Sequence, residues 1–385
     1  MGREEINLLS ELTIFIPSYN RPLALERAIE YWRDTPVTVH ILDGSDIPWF
    51  PKGVLRDQPK ITYHHLPKVA NESAMQNYRR RMLYSQGISC TTYTAMCADD
   101  DFFAMSGLSK VLDELDKSSE IQAAVGAELW FTVQSGRLEC RLVHVNDLKN
   151  SDSLSPKVAI RLKNGLSLFY GIFKTEFFEI RQRLSFEHFF NHEEHLEMLT
   201  QYVSRSILHA RAVPHVFWLR QSNIPSQFKY IPKKDGLSRK QSHQALFHFK
   251  LQLSKAIQTG DASLSSTDAA KIVKRFLRTD WRSGTKAEML RDQLKKRFWR
   301  NLHSVSIRIP LSIKRKANCW TQKLFSRSFF VEMTFEKSLS VGRRGIDEFS
   351  IELVRAGIGF DFLELCKFEE LLLKPREELR LLANV

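Results

Sequence analysis

Apolar and polar positions divide the chain near residue 230. Up to about residue 130, short β-rich runs alternate with amphipathic segments. Residues 12–16 (LTIFI) form an unbroken apolar run, the pattern of a strand buried on both faces. Residues 37–42, 61–66 and 91–98 read as further strands. Asn20 is placed to cap a helix with Pro22 in its first turn, continuing through Leu25, Ala28, Ile29 and Trp32. A second helix is expected over 70–85. Strands alternating with helices predict a parallel α/β sheet with right-handed crossovers.

Beyond residue 120 the pattern is mixed. It predicts a strand at 121–128, and a hairpin of 130–133 with 138–143 that turns near Ser135 and Gly136. It also predicts an apolar strand-like run at 166–173, a helix at 191–206 and a strand at 212–219. Residues 221–236 are polar and contain prolines, as a loop or linker would. Helical periodicity then covers 240–258, 266–278, 285–302, 346–357 and 367–382. The expected organisation is an α/β domain over 1–228 and a basic α-helical region over 229–385. The expected class is α/β, a mixed and mainly parallel sheet flanked by helices, with a helical C-terminal extension.

Composition sharpens this division. The 385 residues are 43% hydrophobic, which excludes a disordered chain. The net charge of +13 is unevenly spread. Residues 229–345 carry 27 Lys and Arg against 8 Asp and Glu, while the remainder carries 30 against 36. The basic segment suggests an anionic partner, and the rest is mildly acidic. Five cysteines without a C-x-x-C pair fit a reduced compartment better than a disulfide framework. No leader-like or membrane-spanning apolar stretch is read in the sequence, so the expectation is a cytoplasmic protein.

The sharpest chemical feature is Asp99-Asp100-Asp101, which ends a predicted strand. Carboxylates at the carboxyl edge of a parallel sheet sit where open α/β folds bind ligands. Two of them spaced i, i+2 can hold Mg²⁺ or Mn²⁺ against a diphosphate. A helix N-cap cluster before Phe102 is the plainer alternative. Asp43, in Asp43-Gly44-Ser45, can accept from a ribose hydroxyl or a base N–H, or can simply make a turn. The 16 glycines form no P-loop, G-x-G-x-x-G or G-x-S-x-G motif, which favours a metal-mediated diphosphate site over a backbone cradle.

LTIFIPSYNRP, ILDGS and MCADDDFF, taken together and in order, resemble the GT-A family of nucleotide-sugar glycosyltransferases. The match is closest to its family-2-like bacterial branch that builds surface polysaccharides. The spacing also agrees, with 26 positions from Pro17 to Asp43 and 56 from Asp43 to Asp99. The resemblance covers residues 10 to about 220. It implies that Pro17, Tyr19, Arg21, Asp43, Asp99 and Asp100 contact the nucleotide, with Asp99 and Asp101 as ligands of Mn²⁺ or Mg²⁺. Of Arg79, Arg80 and Arg81, Arg79 is assigned to the nucleotide, although a solvated helix face also explains at least two of the three. The family's base is a carboxylate opening a late helix, which implies Glu194 with Glu193 in reserve. His215 is implied as a late metal ligand, against an ordinary core or surface histidine.

The expected activity is metal-dependent, inverting transfer of a sugar from a nucleotide-diphosphate donor to a glycan or lipid-linked acceptor. A nucleotidyltransferase acting on a sugar phosphate is the enzymatic rival, and it lacks the glycine-rich loop it needs after the first strand. The other rival is a basic nucleic-acid- or membrane-binding protein on an α/β scaffold. Residues 285–327 interleave Lys and Arg with Leu, Phe and Trp. They are expected either to lie on the inner face of an anionic membrane or to pack a small helical domain. No nucleic-acid fold signature accompanies them, so nucleic acid ranks last.

Overall fold

The computed structural model describes residues 8–49, 58–89, 91–134, 137–143, 151–187, 193–221, 239–277 and 346–373. The basic stretch 285–327 lies outside these residues. Four strands make the first half of the sheet: β1 (Leu12–Ser18), β2 (Thr38–Asp43), β3 (Ile61–His65) and β4 (Tyr93–Met96). They are all parallel, in the spatial order β3-β2-β1-β4. Helix α1 (Pro22–Trp32) joins β1 to β2, and α2 (Ala74–Tyr84) lies between β3 and β4. Ser73 and Gln76 close a capping box at the start of α2, fixing two orphan N–H groups reciprocally.

The second half of the sheet is mixed. It contains β5 (Phe102–Phe103), β6 (Ala123–Gln134), β7 (Arg137–Val143), β8 (Ile172–Lys174) and β9 (Ala210–Gln221). The full order is β3-β2-β1-β4-β8-β6-β9-β5, with β7 paired to the far end of β6. β8 runs antiparallel to both β4 and β6, whereas β6 and β9 are parallel. Helix α3 (Met105–Asp116) packs on β9 so closely that a Cβ on Gly107 would meet the Val216 carbonyl at 2.1 Å. Three more helices, α4 (Val158–Asn164), α5 (Thr175–Phe186) and α6 (Glu193–Ile207), belong to this half. The α/β class read from the sequence is the class observed.

Several local expectations differ from the structure. The runs expected at 121–128 and 130–133 are one strand, β6. The apolar run 166–173 is mostly irregular and contributes only its end to β8. Asn20 does not cap α1: the N-cap position is Arg21, without a side-chain cap, and Asn20 turns the chain at φ 54. Asn reaches this left-handed region more readily than most residues.

Helices α7 (Arg239–Gly260), α8 (Ser266–Phe276), α9 (Ile346–Ala356) and α10 (Phe362–Leu373) follow. Among the described residues, 8–270 and 346–373 fall in one compact unit. Helices α9 and α10 pack with residues of the sheet. Leu353, Ile358, Leu365, Phe368 and Leu372 join Phe102, Leu129, Phe131, Leu142 and Leu219 in one apolar cluster. Burying each such side chain contributes roughly 1.5–3 kcal/mol, enough to fix both helices against β5, β6 and β9.

Candidate functional site

Three motifs distant in sequence meet at the carboxyl ends of β1, β2 and β4. Ser18 and Asp43 are register partners at the ends of β1 and β2. Past β4, the Cys97 amide still donates to the Phe15 carbonyl at 2.9 Å, which carries Asp99 beside the end of β1. The Ser18 hydroxyl donates to Asp99 Oδ2 at 2.7 Å. Arg21 then bridges two acids, donating from Nη1 to Asp99 Oδ1 at 2.7 Å and from Nη2 to Asp100 Oδ2 at 2.6 Å. The Asn20 turn aims this arginine, and its own amide donates to Ser45 Oγ at 2.7 Å.

Asp43 is fully buried and held by neutral donors. Its Oδ1 accepts from the Ser45 amide at 2.9 Å and the Ser45 hydroxyl at 2.5 Å. Its Oδ2 accepts from the Tyr63 hydroxyl at 2.5 Å. Burial and this bond push the Tyr63 phenol above its ordinary range. The turn expected at 43–45 is thus present, and it is locked to β3.

Arg81 lies beneath these strand ends, 1% exposed. Its Nη1 donates to the Ser18 carbonyl at 2.5 Å and the Leu42 carbonyl at 2.8 Å. Burial lowers its pKa to about 10, although Tyr78, Asp43 and Asp99 favour the cation. Gly44 makes this approach possible, because a Cβ there would stand 2.3 Å from Asn77 Oδ1 and 2.7 Å from Arg81 Nε. Both of those atoms are buried and have no hydrogen-bond partner among the described residues, an uncommon cost at a strand-end cluster.

Asp101 faces β9. Its Oδ2 accepts from Trp218 Nε1 at 3.2 Å and its Oδ1 from the Gln221 amide at 2.9 Å. The Trp218 ring packs on Tyr170 at 4.3 Å, and the Arg220 guanidinium lies 5.1 Å from both Trp130 and Trp218. Arg220 also pairs with Glu128 at 3.4 Å.

Burial dominates the electrostatics of the acids. It raises Asp99 to about 7, opposed by Arg21 and reinforced by Asp100. Burial and the neighbouring Asp100 raise Asp101 well above the carboxylate range, against the Gln221 amide, Arg220 and Trp218. For Arg21, burial works against the cation, but Asp99 and Asp100 more than offset it.

Among the described residues no three His, Cys, Asp or Glu side chains converge as a metal-binding group. A magnesium-type ion needs only one or two carboxylates when substrate oxygens complete its shell. Asp101 accepts one bond at each oxygen, leaving each a second acceptor position. These hard oxygens fit such an ion.

The other expected residues scatter. Pro17 is half-buried in β1 opposite Leu42, and Tyr19 lies under Lys68, whose Nζ is 5.5 Å from the ring. Arg79 is turned away, donating to the carbonyls of Phe186 and Glu187 at the end of α5; Arg81 takes the position under the strand ends instead. Glu193 and Glu194 open α6, and their side chains lie outside the described residues. His215 sits six residues before Gln221 on β9, roughly 20 Å along an extended strand. Its ring packs against Gly359, and it is not gathered with the acids. Nor do the acids cap α3, since β5 intervenes and the N-cap position is Ala104.

No protein-family model matches the sequence, and no curated protein matches it. Among solved structures, the chain is similar to residues 1–349 of S. aureus TarS, at 11% identity and a TM-score of 0.44 over 71% of this chain and 73% of that one. A second S. aureus TarS structure is similar at 11% identity and a TM-score of 0.41, over 69% of this chain and 42% of that one.

Residues missed in the sequence are Ser18, Tyr63, Asn77, Trp218 and Gln221, while Arg81 was weighed beside Arg79 and passed over. Asn77 and Arg81 stand one helical turn apart on α2, and their i, i+4 spacing was the available signal. Trp218 and Gln221 carry no local signal, because pairing of β9 with β5 and β6 decides their place.

Proposed function

We propose that this protein is a glycosyltransferase, moving a sugar from a nucleotide-diphosphate donor to a glycan or lipid-linked acceptor with inversion. The observation that carries this reading is the hydrogen-bonded union of Ser18, Arg21, Asp99 and Asp100 at the ends of β1 and β4. The ends of parallel strands are where open α/β sheets bind nucleotides. The sequence resemblance independently gives these motifs that task.

In this reading Tyr19 and Pro17 line the nucleoside pocket, and Asp43 orients Ser45 and Tyr63 at its wall. Asp99 and Asp101 would hold Mn²⁺ or Mg²⁺, which would neutralise charge on the diphosphate. Arg21 pairs with Asp99 and Asp100 and opposes the upward push of burial on Asp99. Glu194, or Glu193, takes the proton of the acceptor hydroxyl. The acceptor oxygen bonds to the anomeric carbon as the bond to the diphosphate oxygen breaks, and the leaving electrons stay on that oxygen.

Thermal-shift titrations with nucleoside diphosphates, with and without Mn²⁺, test the donor site. Stabilisation is expected only with the ion, and Asp101→Ala should lose it. An equal response in that variant refutes the metal-diphosphate site. For the base, Glu194→Gln should keep nucleotide binding while transfer falls by at least 10²-fold; full activity removes Glu194 from the mechanism.

A further inference from the structure

We infer that Glu364 of α10 is a positioning residue for the acidic turn, acting through the first turn of α3, a role that rests on the nucleotide-site reading above for its functional consequence. The first amides of a helix lack intrahelical partners. The N-cap residue of α3, Ala104, has no side-chain acceptor to offer them. Glu364 supplies one from far along the chain. Its Oε1 accepts from the Met105 amide, and its Oε2 accepts from the Ser106 amide at 3.1 Å and the Ser106 hydroxyl at 2.6 Å. An anion at this end also complements the helix dipole. The Glu364 amide is itself tied to Asp361 Oδ1 at 3.0 Å.

Only three residues separate Asp101 from Met105, and each is anchored. The Phe102 ring meets Phe368 of α10 edge-on at 5.2 Å. The Phe103 carbonyl accepts from the Tyr31 hydroxyl at 2.6 Å, and Tyr31 also packs on Phe368. The Ala104 amide donates to the Phe217 carbonyl at 2.9 Å. β5 pairs Phe102 with Leu219 and Phe103 with Trp218. That register puts Asp101 within reach of Trp218 Nε1 and the Gln221 amide. A shift at the start of α3 therefore passes through a short, fully held segment to the Asp101 carboxylate. A serine or aspartate at position 104 would cap the helix locally. The remote carboxylate instead ties the acidic turn to the docking of α10.

The test uses the full chain with Glu364→Gln, Glu364→Ala and the double variant Glu364→Ala/Ala104→Ser, which restores a local cap. Two readouts are followed: the Trp218 indole N–H resonance, and binding of uridine, guanosine, cytidine and thymidine diphosphates with Mn²⁺. Glu364→Ala should move the indole resonance and weaken nucleotide binding at least tenfold, with Glu364→Gln intermediate. The double variant should regain melting temperature without regaining either readout. An unmoved indole resonance in Glu364→Ala, or its full recovery in the double variant, reduces Glu364 to a helix cap and overturns the inference. Where Glu364→Ala does not fold, the indole resonance of Glu364→Gln decides in the same way. If the wild type binds no nucleoside diphosphate, the glycosyltransferase reading fails, while the indole resonance still decides the role of Glu364.

Discussion

Asp43 and the Asp99–Asp101 turn follow β2 and β4, the parallel strands on either side of β1, yet the protein treats them differently. Asp43 is satisfied by neutral donors from Ser45 and Tyr63, at most 20 residues away. Asp99 and Asp101 depend on Arg21, Trp218 and Gln221, 78 to 120 residues away. Burial still drives both of their pKa values upward. One acid completes a local turn. The other pair is built by the whole fold, and it is the pair that the proposed function assigns to the divalent ion and the diphosphate.

The sharpest way to break this contrast is Arg21→Ala. It strips Asp99 and Asp100 of their cation in a buried setting, and the expected loss of stability is about 3 kcal/mol, measured by urea denaturation. Gly44→Ala should cost about 2 kcal/mol by driving a Cβ into Asn77 and Arg81, with a melting temperature lowered accordingly. Tyr63→Phe removes one of three bonds to Asp43 and should cost about 1 kcal/mol. If Tyr63→Phe costs as much as Arg21→Ala, the two acids are not differently supported.

The smallest effect concerns β2 and β3. His40 Nδ1 and His64 Nε2 are 2.9 Å apart, and Tyr84 reaches His64. Burial, then His64, lowers His40 to about 4 from its ordinary 6.5. The unfolded chain binds this proton at higher pH than the native one. The stabilising contribution is therefore complete above pH 6.5 and is lost as pH falls toward 4. Allowing for its partial exposure, the change is about 1 kcal/mol. Stability curves of His40→Phe should be flatter across that window.

The strand ends were legible in the sequence because each apolar run stops abruptly at a polar motif: PSYN, DGS or DDD. Arg81 was not legible. Three consecutive arginines on a helix point about 100° apart, and only packing under Gly44 selects one. Helices α9 and α10 were visible as periodic segments. Their partner face was not, because amphipathicity shows that a stripe is buried without saying against what. The same holds for Glu364, an acid in the first turn of its own helix whose work is done on another. Arg79 and His215 took their expected roles from motif order alone, and the fold turns them toward α5 and Gly359.

The central claim is that a divalent ion and a diphosphate meet at Asp101. Anomalous scattering from crystals grown with Mn²⁺ and a nucleoside diphosphate tests it most directly. The account predicts a manganese peak within about 2.5 Å of an Asp101 carboxylate oxygen, bridged to the diphosphate. A bound nucleotide with the manganese elsewhere, or a nucleotide away from the ends of β1 and β4, would contradict it.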